Sequence, residues 1–336
     1  MSAAPQTVGV ADHGHASTDA GFLDDAFLSE APLRPGDRVR LVAPSGPSSA
    51  ASIAYAVEQL SIWGLRPVVG RHAHDTDRQL PYLAGTDDDR RADLVEAWLD
   101  PEAQAVVCLR GGYGAMRLLD EIDWSAMRDA RISAAGRAKL LTGSSDVTAL
   151  HQAWGANVGV PTLFSPMPAN AVFHDSSFIR ADVHRWMMEP WGGRVIAGPQ
   201  AETLVAGEVR GRTFGGNLSL IAASIGAPEF TLPTGGIAIL EDIEEDLYRL
   251  DNLMIQLQRC GWLRAAAGIV FGSWHDCAPS DDVRALMMHY VGDLGVPVAW
   301  ELGIGHDPEA PSVPMGATAR LCAPASEHPR LVVESI

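Results

Sequence analysis

A short apolar run that ends in a glycine and two serines is the first feature that could do chemistry. Residues 139–150 read KLLTGSSDVTAL, which predicts a strand, a turn and the start of a helix. Sites in open α/β folds lie at the carboxyl ends of parallel strands, and helix-opening amides can stabilise negative charge. Ser145 is therefore a candidate nucleophile. The alternative is that Ser144, Ser145 and Asp146 only cap the helix.

Three glycines within four positions form the second candidate segment. Residues 110–114 read RGGYG and directly follow an apolar run that ends at Leu109. Glycine lets the backbone approach a ligand closely or adopt positive φ. The phosphate-binding patterns G-x-x-x-x-G-K-[ST] and G-x-G-x-x-G do not fit here. Two interpretations remain, a tight turn and a loop that contacts a substrate or an oxyanion.

A carboxylate and a histidine complete the set of candidates. Glu241 ends the apolar run 237–240, and a carboxylate beside a buried strand needs a partner, which a histidine could be. The neighbouring Glu244 and Glu245 are expected to be solvated. His306 lies between Gly305 and Asp307 in a loop, with His275 as its rival, and a solvated loop histidine remains the alternative.

Metal chemistry has little support in the sequence. The run His72–Asp75 reads HAHD, but its polar flanks favour a solvated turn. We find no H-E-x-x-H motif and no His/Cys cluster with zinc spacing. The sequence therefore predicts no metal and no cofactor. The remaining parts, a serine on a helix-opening turn, an amide-rich loop, a carboxylate and a histidine, are those of an acyl-transfer site.

Composition excludes several classes of protein. The 336 residues include 25 basic and 42 acidic side chains, which gives a net charge of −17. This charge argues against binding of nucleic acid or of an anionic membrane surface. The first 30 residues lack the pattern of a secretory signal, and no run approaches the roughly 18 to 20 apolar residues of a membrane span. The four cysteines form no C-x-x-C pair, which predicts reduced thiols and a cytoplasmic protein.

The candidate residues are separated by alternating strand and helix patterns, which predict an α/β fold with a parallel sheet. A strand is predicted over 38–43, a helix through Ile53 to a cap at Gly64, and a second strand over 67–69. Thr86 and the acids that follow it predict another helix start. Further strands are predicted at 105–109, 139–142, 208–211, 236–240 and 268–272.

The domain organisation is predicted from the positions where the alternating strand and helix pattern changes. Residues 1–34 show no clear periodicity and are predicted to be a loosely ordered extension, with the ordered protein beginning near Pro35. An α/β domain over 35–165 carries Ser145. The prolines and glycines of 166–205 predict a linker region. A C-terminal β/α domain over 206–336 carries Glu241 and His306.

Several motifs resemble LD-carboxypeptidases in their order and spacing, over about residues 35 to 325. Ser144 departs from the family pattern, where an aromatic residue is common before the nucleophile, and Ser165 departs where glycine is usual. Both departures could alter substrate fit. The matching motifs are Tyr82–Asp87, Arg110–Gly114 with Arg117–Leu119, Gly143–Leu150, Gly215–Leu218, Leu240–Asp242 with Tyr248–Asp251, and Gly305–His306 with Pro314–Gly316.

The resemblance implies a Ser–Glu–His triad. Ser145 would be the nucleophile, His306 the general base and then acid, and Glu241 the group that orients the imidazole. The backbone amides of Gly112 and Asp146 would bind the oxyanion, and the adjacent Gly111 and Tyr113 belong to the implied oxyanion or substrate loop. The implied architecture is a flavodoxin-like N-terminal domain and a smaller swivelling C-terminal domain, with the site between them, in a homodimer.

The implied activity is peptidoglycan recycling in the cytoplasm, by hydrolysis of the amide between an L-centre diamino acid and the terminal D-Ala of a murein tetrapeptide. The alternative within the family is a microcin C immunity-type carboxypeptidase that cleaves aminoacyl-nucleotide amides, for which Trp274 could stack on a base. A third interpretation is a non-catalytic peptide-binding or nucleotide-binding α/β protein. The presence of all three candidate catalytic residues argues against it.

Overall fold

A computed structural model describes residues 22–23, 25 and 29–334 of the protein. The strands in this part of the chain form two sheets. Numbered in chain order, the strands are β1 (Arg38–Val42), β2 (Arg66–Val69), β3 (Ala103–Cys108), β4 (Leu140–Gly143), β5 (Thr162–Phe164), β6 (Val195–Ile196), β7 (Glu202–Val205), β8 (Gly207–Asn217), β9 (Ile237–Ile243), β10 (Gly268–His275), β11 (Val298–Trp300), β12 (Val313–Met315), β13 (Thr318–Ala323) and β14 (Arg330–Val333).

The helices connect these strands and cover the faces of the sheets. Two 3₁₀ turns, Ala115–Glu121 and Ser145–Val147, follow β3 and β4. The α-helices are α1 (Ala50–Ile62), α2 (Asp87–Leu99), α3 (Trp124–Asp129), α4 (Thr148–Asn157), α5 (Ala171–Asp175), α6 (Ser177–Met188), α7 (Leu218–Ala223), α8 (Leu247–Arg259), α9 (Trp262–Ala265) and α10 (Ser280–Val291).

The first sheet has six strands in the order β2-β1-β3-β4-β5-β12, and the pairs among its first five strands are parallel. This is the flavodoxin-like order, which reverses between β1 and β3 and so opens a crevice at the carboxyl ends of those strands. All six residues of β3 are buried, as expected of a central strand covered by helices on both faces. The parallel α/β fold predicted from the sequence is confirmed.

The helix start predicted at Thr86 and the helix end predicted at Gly64 are also confirmed. Thr86 caps α2, since its hydroxyl accepts a hydrogen bond from the Asp89 amide at 3.2 Å, and three acids occupy the first turn. Gly64, which follows α1, adopts φ +82°, the conformation that ends many helices at glycine.

The second sheet has the order β6-β14-β13-β8-β9-β10-β11-β7. Its central strands β8 to β11 are parallel, and the strands at both sides are antiparallel. Strands β6 and β7 form the two edges of this eight-stranded sheet. One strand from late in the chain belongs to the first sheet: β12 forms its edge and pairs antiparallel with β5.

The segment 166–205, predicted as a linker, contains regular structure. Helices α5 and α6 and strands β6 and β7 fall within it. Phe173, Ile179 and Trp186 are buried and join the same core as the first sheet. The prolines and glycines in this interval interrupt the periodic pattern without preventing packing. The domain boundaries themselves stay a prediction.

Most of the predicted extension 1–34 lies outside the described residues. Leu33 is fully buried, and its amide donates to the Met187 carbonyl at 2.9 Å. Asp25 is buried beside Arg212 of β8, with 2.8 Å between the carboxylate and the guanidinium. These residues therefore pack on the folded body, earlier than the predicted start at Pro35. Across the described ranges, every helix is too short or too polar to cross a membrane.

Candidate active site

Ser145 occupies a strained turn between β4 and α4. Its φ is +58°, in the left-handed region that non-glycine residues rarely adopt. Ser144 makes no capping hydrogen bond, and the Asp146 carboxylate turns away to accept the Ala115 amide at 2.8 Å. These two side chains give the capping alternative no support. Strand, strained turn and helix in succession form the geometry of a nucleophile elbow, which exposes the serine at the sheet edge.

A buried histidine holds the strand that leads into this turn. His151 Nε2 lies 2.8 Å from the Gly143 carbonyl, and Nδ1 lies 2.7 Å from the Thr162 hydroxyl. Burial lowers the pKa of His151 to about 4, so the ring is neutral at physiological pH. Nε2–H therefore donates to the carbonyl. Sequence reasoning missed this residue because nothing in the helical pattern marks it.

The loop Arg110–Gly114 packs directly against the candidate nucleophile. A Cβ placed on Gly111 would lie 2.9 Å from Ser145 Cβ and 3.1 Å from Ser145 Oγ, so only glycine permits this approach. Gly112 is exposed, and Tyr113 is 51% exposed. The ring of Tyr113 meets that of Tyr82 edge-to-face at 5.9 Å. The structure therefore brings the predicted glycine loop to Ser145.

Glu241 and His306 form a direct pair. Glu241 is fully buried near the carboxyl end of β9, and its Oε2 lies 2.7 Å from His306 Nδ1. A carboxylate only accepts, so Nδ1 carries the proton and Nε2 is left as the acceptor. Burial acts to lower the pKa of His306, but the charges of Glu241, Asp242 and Asp307 and the hydrogen bond outweigh it, and the pKa is raised.

The loop that carries His306 fits closely around the carboxylate. Gly305 has φ +137°, and a Cβ there would lie 2.5 Å from Glu241 Oε2 and 2.7 Å from Ser273 Oγ. The buried Ser273 hydroxyl accepts the His306 amide at 3.1 Å. Ser273 was not predicted, because it acts across 33 residues of sequence. Its position in β10, the strand beside β9, is the signal that could have identified it.

A buried polar network connects this pair to the turn of Ser145. The Asn217 side chain donates to Glu241 Oε1 at 3.3 Å and to Asp242 Oδ1 at 2.8 Å. The Asn217 amide donates to the hydroxyl of Thr148, at 3.0 Å. Thr148 begins α4, three residues after Ser145. The carboxyl ends of the two sheets therefore meet, and they bring the three predicted catalytic residues to one junction.

The rival residues have other partners. His275 Nδ1 lies 3.1 Å from Asp307, and its Nε2 lies 3.6 Å from Asp276. Glu244 is exposed, and the Glu245 carboxylate accepts from Ser219 and Arg249 at 3.3 and 3.4 Å. None of these contacts pairs a histidine with a buried carboxylate. This comparison favours Glu241 and His306.

One cluster among the described residues has the composition of a metal site. His72 Nδ1 lies 2.9 Å from Asp75, and its Nε2 lies 3.6 Å from Asp89. The hydrogen bond with Asp75 is the main cause that raises the pKa of His72. A raised pKa favours the protonated imidazole, which offsets the charge of one of the two carboxylates. The cluster belongs to the loop before α2 and to the first turn of that helix.

The site therefore combines a serine on a strained turn, a glycine loop against it, and a carboxylate-bound histidine whose second nitrogen can accept a proton. Such groups can perform acyl transfer through a covalent intermediate. The sequence matches the LD-carboxypeptidase N-terminal domain over residues 39–165 and the LD-carboxypeptidase C-terminal domain over 210–321. The chain belongs to the LD-carboxypeptidase family of serine peptidases.

Two relatives agree with this assignment. A Streptomyces coelicolor protein described as a carboxypeptidase is 43% identical over 88% of this chain and 94% of its own. The murein tetrapeptide carboxypeptidase of Pseudomonas aeruginosa is 32% identical over 84% of this chain and 92% of its own. The resemblance seen in the sequence motifs is thus confirmed.

Solved structures share the two-domain architecture. The muramoyltetrapeptide carboxypeptidase of Oxalobacter formigenes superimposes with a TM-score of 0.75 and 25% identity, covering 89% of this chain and 99% of that one. The microcin C7 self-immunity protein in complex with aspartyl sulfamoyl adenosine gives a TM-score of 0.76 at 20% identity, covering 91% and 98%. The second comparison shows the fold alone.

Proposed function

We propose that this protein is a serine LD-carboxypeptidase that removes the terminal D-Ala from murein tetrapeptides, with Ser145, Glu241 and His306 as its triad. The observation that carries the proposal is the 2.7 Å contact between buried Glu241 and His306 Nδ1. Asn217 links this pair to Thr148, three residues after Ser145. The murein relatives support the substrate class.

In the proposed reaction Ser145 Oγ attacks the carbonyl carbon of the L-centre residue. His306 Nε2 takes the hydroxyl proton, and Glu241 stabilises the imidazolium that forms. The oxyanion binds the amides of Gly112 and Asp146. His306 then returns the proton to the nitrogen of the leaving D-Ala. Water hydrolyses the acyl-enzyme with His306 again as base.

The aminoacyl-nucleotide alternative came from the family resemblance, with Trp274 as the residue that could stack on a base. Trp274 is 7% exposed and is stacked on Trp300, with ring centroids 6.0 Å apart and an interplanar angle of 15°. Its faces are thus occupied by the protein core. Because this platform is not accessible, no feature of the described residues favours the alternative over the murein substrate.

The proposed setting is a cytoplasmic homodimer. All four cysteines are free thiols, which supports a reducing compartment. Burial raises the pKa of Cys277 to about 11, so this thiol is unreactive at neutral pH. Light scattering of the purified protein measures the oligomeric state, and a monomeric mass would contradict the dimer.

Substrate competition tests the proposed function. The purified protein is incubated with a tetrapeptide ending in an L-diamino acid and D-Ala, with its L-Ala diastereomer, with the D-Ala-D-Ala pentapeptide and with aspartyl sulfamoyl adenosine. We expect release of D-Ala from the first compound and little turnover of the others, because a pocket rejects a ligand that leaves its polar groups unpaired. Preferred cleavage of the adenosine compound would assign the protein to the immunity type.

A further inference from the structure

A carboxypeptidase must bind the free terminal carboxylate of its substrate, but the acidic groups around His306 repel a carboxylate. Glu241, Asp242 and Asp307 all raise the pKa of His306, which reports a negative local potential. The protein as a whole carries a net charge of −17. An approaching carboxylate is repelled unless a cation lies close to the reacting amide.

Three arginines lie around the glycine loop, and two of them are already bound. Arg90 is buried and donates to the carbonyls of Gly85 and Gly114 at 3.3 and 3.0 Å, and to Asp87. Arg117 holds Asp87 in a two-pronged contact, with nitrogen–oxygen distances of 2.7 to 3.0 Å. Both guanidinium groups therefore fix the loop and are not available to a substrate.

Arg110 differs from these two arginines. It is exposed, it donates only to the neutral carbonyl of Pro47, at 3.1 Å, and within the described ranges it has no acidic partner. Its neighbour in sequence is Gly111, which packs on Ser145. A Cβ on Gly46 would lie 3.5 Å from Arg110 Nε and 3.0 Å from the Gly111 carbonyl, so the guanidinium lies beside the same loop.

We infer that Arg110 binds the terminal carboxylate of the peptide substrate. A guanidinium offers five donors in a planar fork that matches a carboxylate, and Arg110 uses one of them within the protein. The two-pronged contact would hold the D-residue beside the amide that Ser145 attacks. This inference rests on the proposed carboxypeptidase function and adds the residue that selects a free carboxyl end.

The experiment compares a tetrapeptide with its C-terminal amide, for the unaltered protein and for Arg110→Gln. We expect the unaltered protein to prefer the free acid in kcat/KM by about 10- to 100-fold, the range for hydrogen bonds to a charged group. Arg110→Gln should lower cleavage of the acid far more than cleavage of the amide, mainly through KM, so that the ratio approaches one. Arg110→Lys should retain part of the preference, because it keeps the charge without the fork.

The control is Arg264→Gln, which removes an exposed arginine of α9 and should keep the full preference. Melting temperatures confirm that each variant is folded, and Arg110→Lys carries the test if Arg110→Gln is not. If the acid-to-amide ratio of kcat/KM stays the same in Arg110→Gln, the assignment of Arg110 is wrong and the proposed function still stands. If the unaltered protein cleaves neither peptide, the proposed function fails and the role of Arg110 fails with it.

Discussion

The turn that carries Ser145 and the loop that carries His306 are positioned by different means. Ser145 is placed mainly by backbone: a left-handed φ, a glycine loop packed against its side chain, and a strand carbonyl held by His151. His306 is placed by buried side chains, because Glu241 orients its ring and Ser273 accepts its amide. Substitutions that change charge should therefore lower activity more around His306 than around Ser145. Substitutions that add volume should lower activity in both regions.

The largest effect is expected where the backbone presents the nucleophile. Ser145→Ala should lower kcat by roughly four to six orders of magnitude, since the other hydroxyl on the turn, that of Ser144, is buried. The melting temperature should hardly change. Ser144→Ala is the matched control on the same turn and should keep most of the activity. Release of D-Ala at the wild-type rate by Ser145→Ala would rule out this serine.

Glu241→Gln tests the side-chain region. It should lower kcat by roughly two to four orders of magnitude, because an amide neither fixes the tautomer nor stabilises the imidazolium. Glu244→Gln, on the exposed turn that follows, should have little effect. If the Glu244 variant lost activity while the Glu241 variant kept it, the choice of carboxylate would be wrong.

Gly305→Ala tests the volume around the pair. The added methyl would lie 2.5 Å from Glu241 Oε2, so the carboxylate or the loop must move. We expect kcat to fall about 10- to 100-fold and stability to fall by about 1 to 3 kcal/mol. Gly303→Ala is a close control, because Gly303 also has positive φ but its nearest neighbour would be 3.5 Å away. Comparable loss of kcat in both variants would point to backbone strain instead of a clash with Glu241.

The pH dependence of activity tests the loop of His306 without a change to Ser145. His306 must be neutral to accept the proton, and its raised pKa places the rise in activity at a pH above the ordinary histidine value. Residual activity of Glu241→Gln should rise at lower pH than that of the unaltered protein, because the charge that raises the pKa is gone. An unshifted profile would exclude His306 as the titrating base.

The smallest effect is expected from chelation. EDTA should leave activity unchanged, since the proposed steps use only protein groups. His72→Ala, which removes the histidine of the cluster with Asp75 and Asp89, should also retain activity. Inhibition by EDTA that zinc reverses would instead indicate a metallopeptidase.

The sequence predicts those features that depend on local pattern. Thr86, the apolar strands and the glycine beside His306 are all visible as short signals, and the family motifs supply the roles. The residues that sequence reasoning missed act over long separations: Ser273 contacts the His306 amide, and Asn217 joins Glu241 to Thr148. Their chemistry depends on which strands become neighbours, and no local pattern specifies that.

The strand β12 shows the same limit and has a consequence for how the molecule is made. Three residues are too few to be recognised as a strand, yet Val313–Met315 completes the edge of the first sheet by pairing with β5. During synthesis, β5 therefore stays unpaired on one side until the chain has passed His306. A nascent chain that stops short of residue 313 therefore lacks β12 of the first sheet and both β13 and β14 of the second.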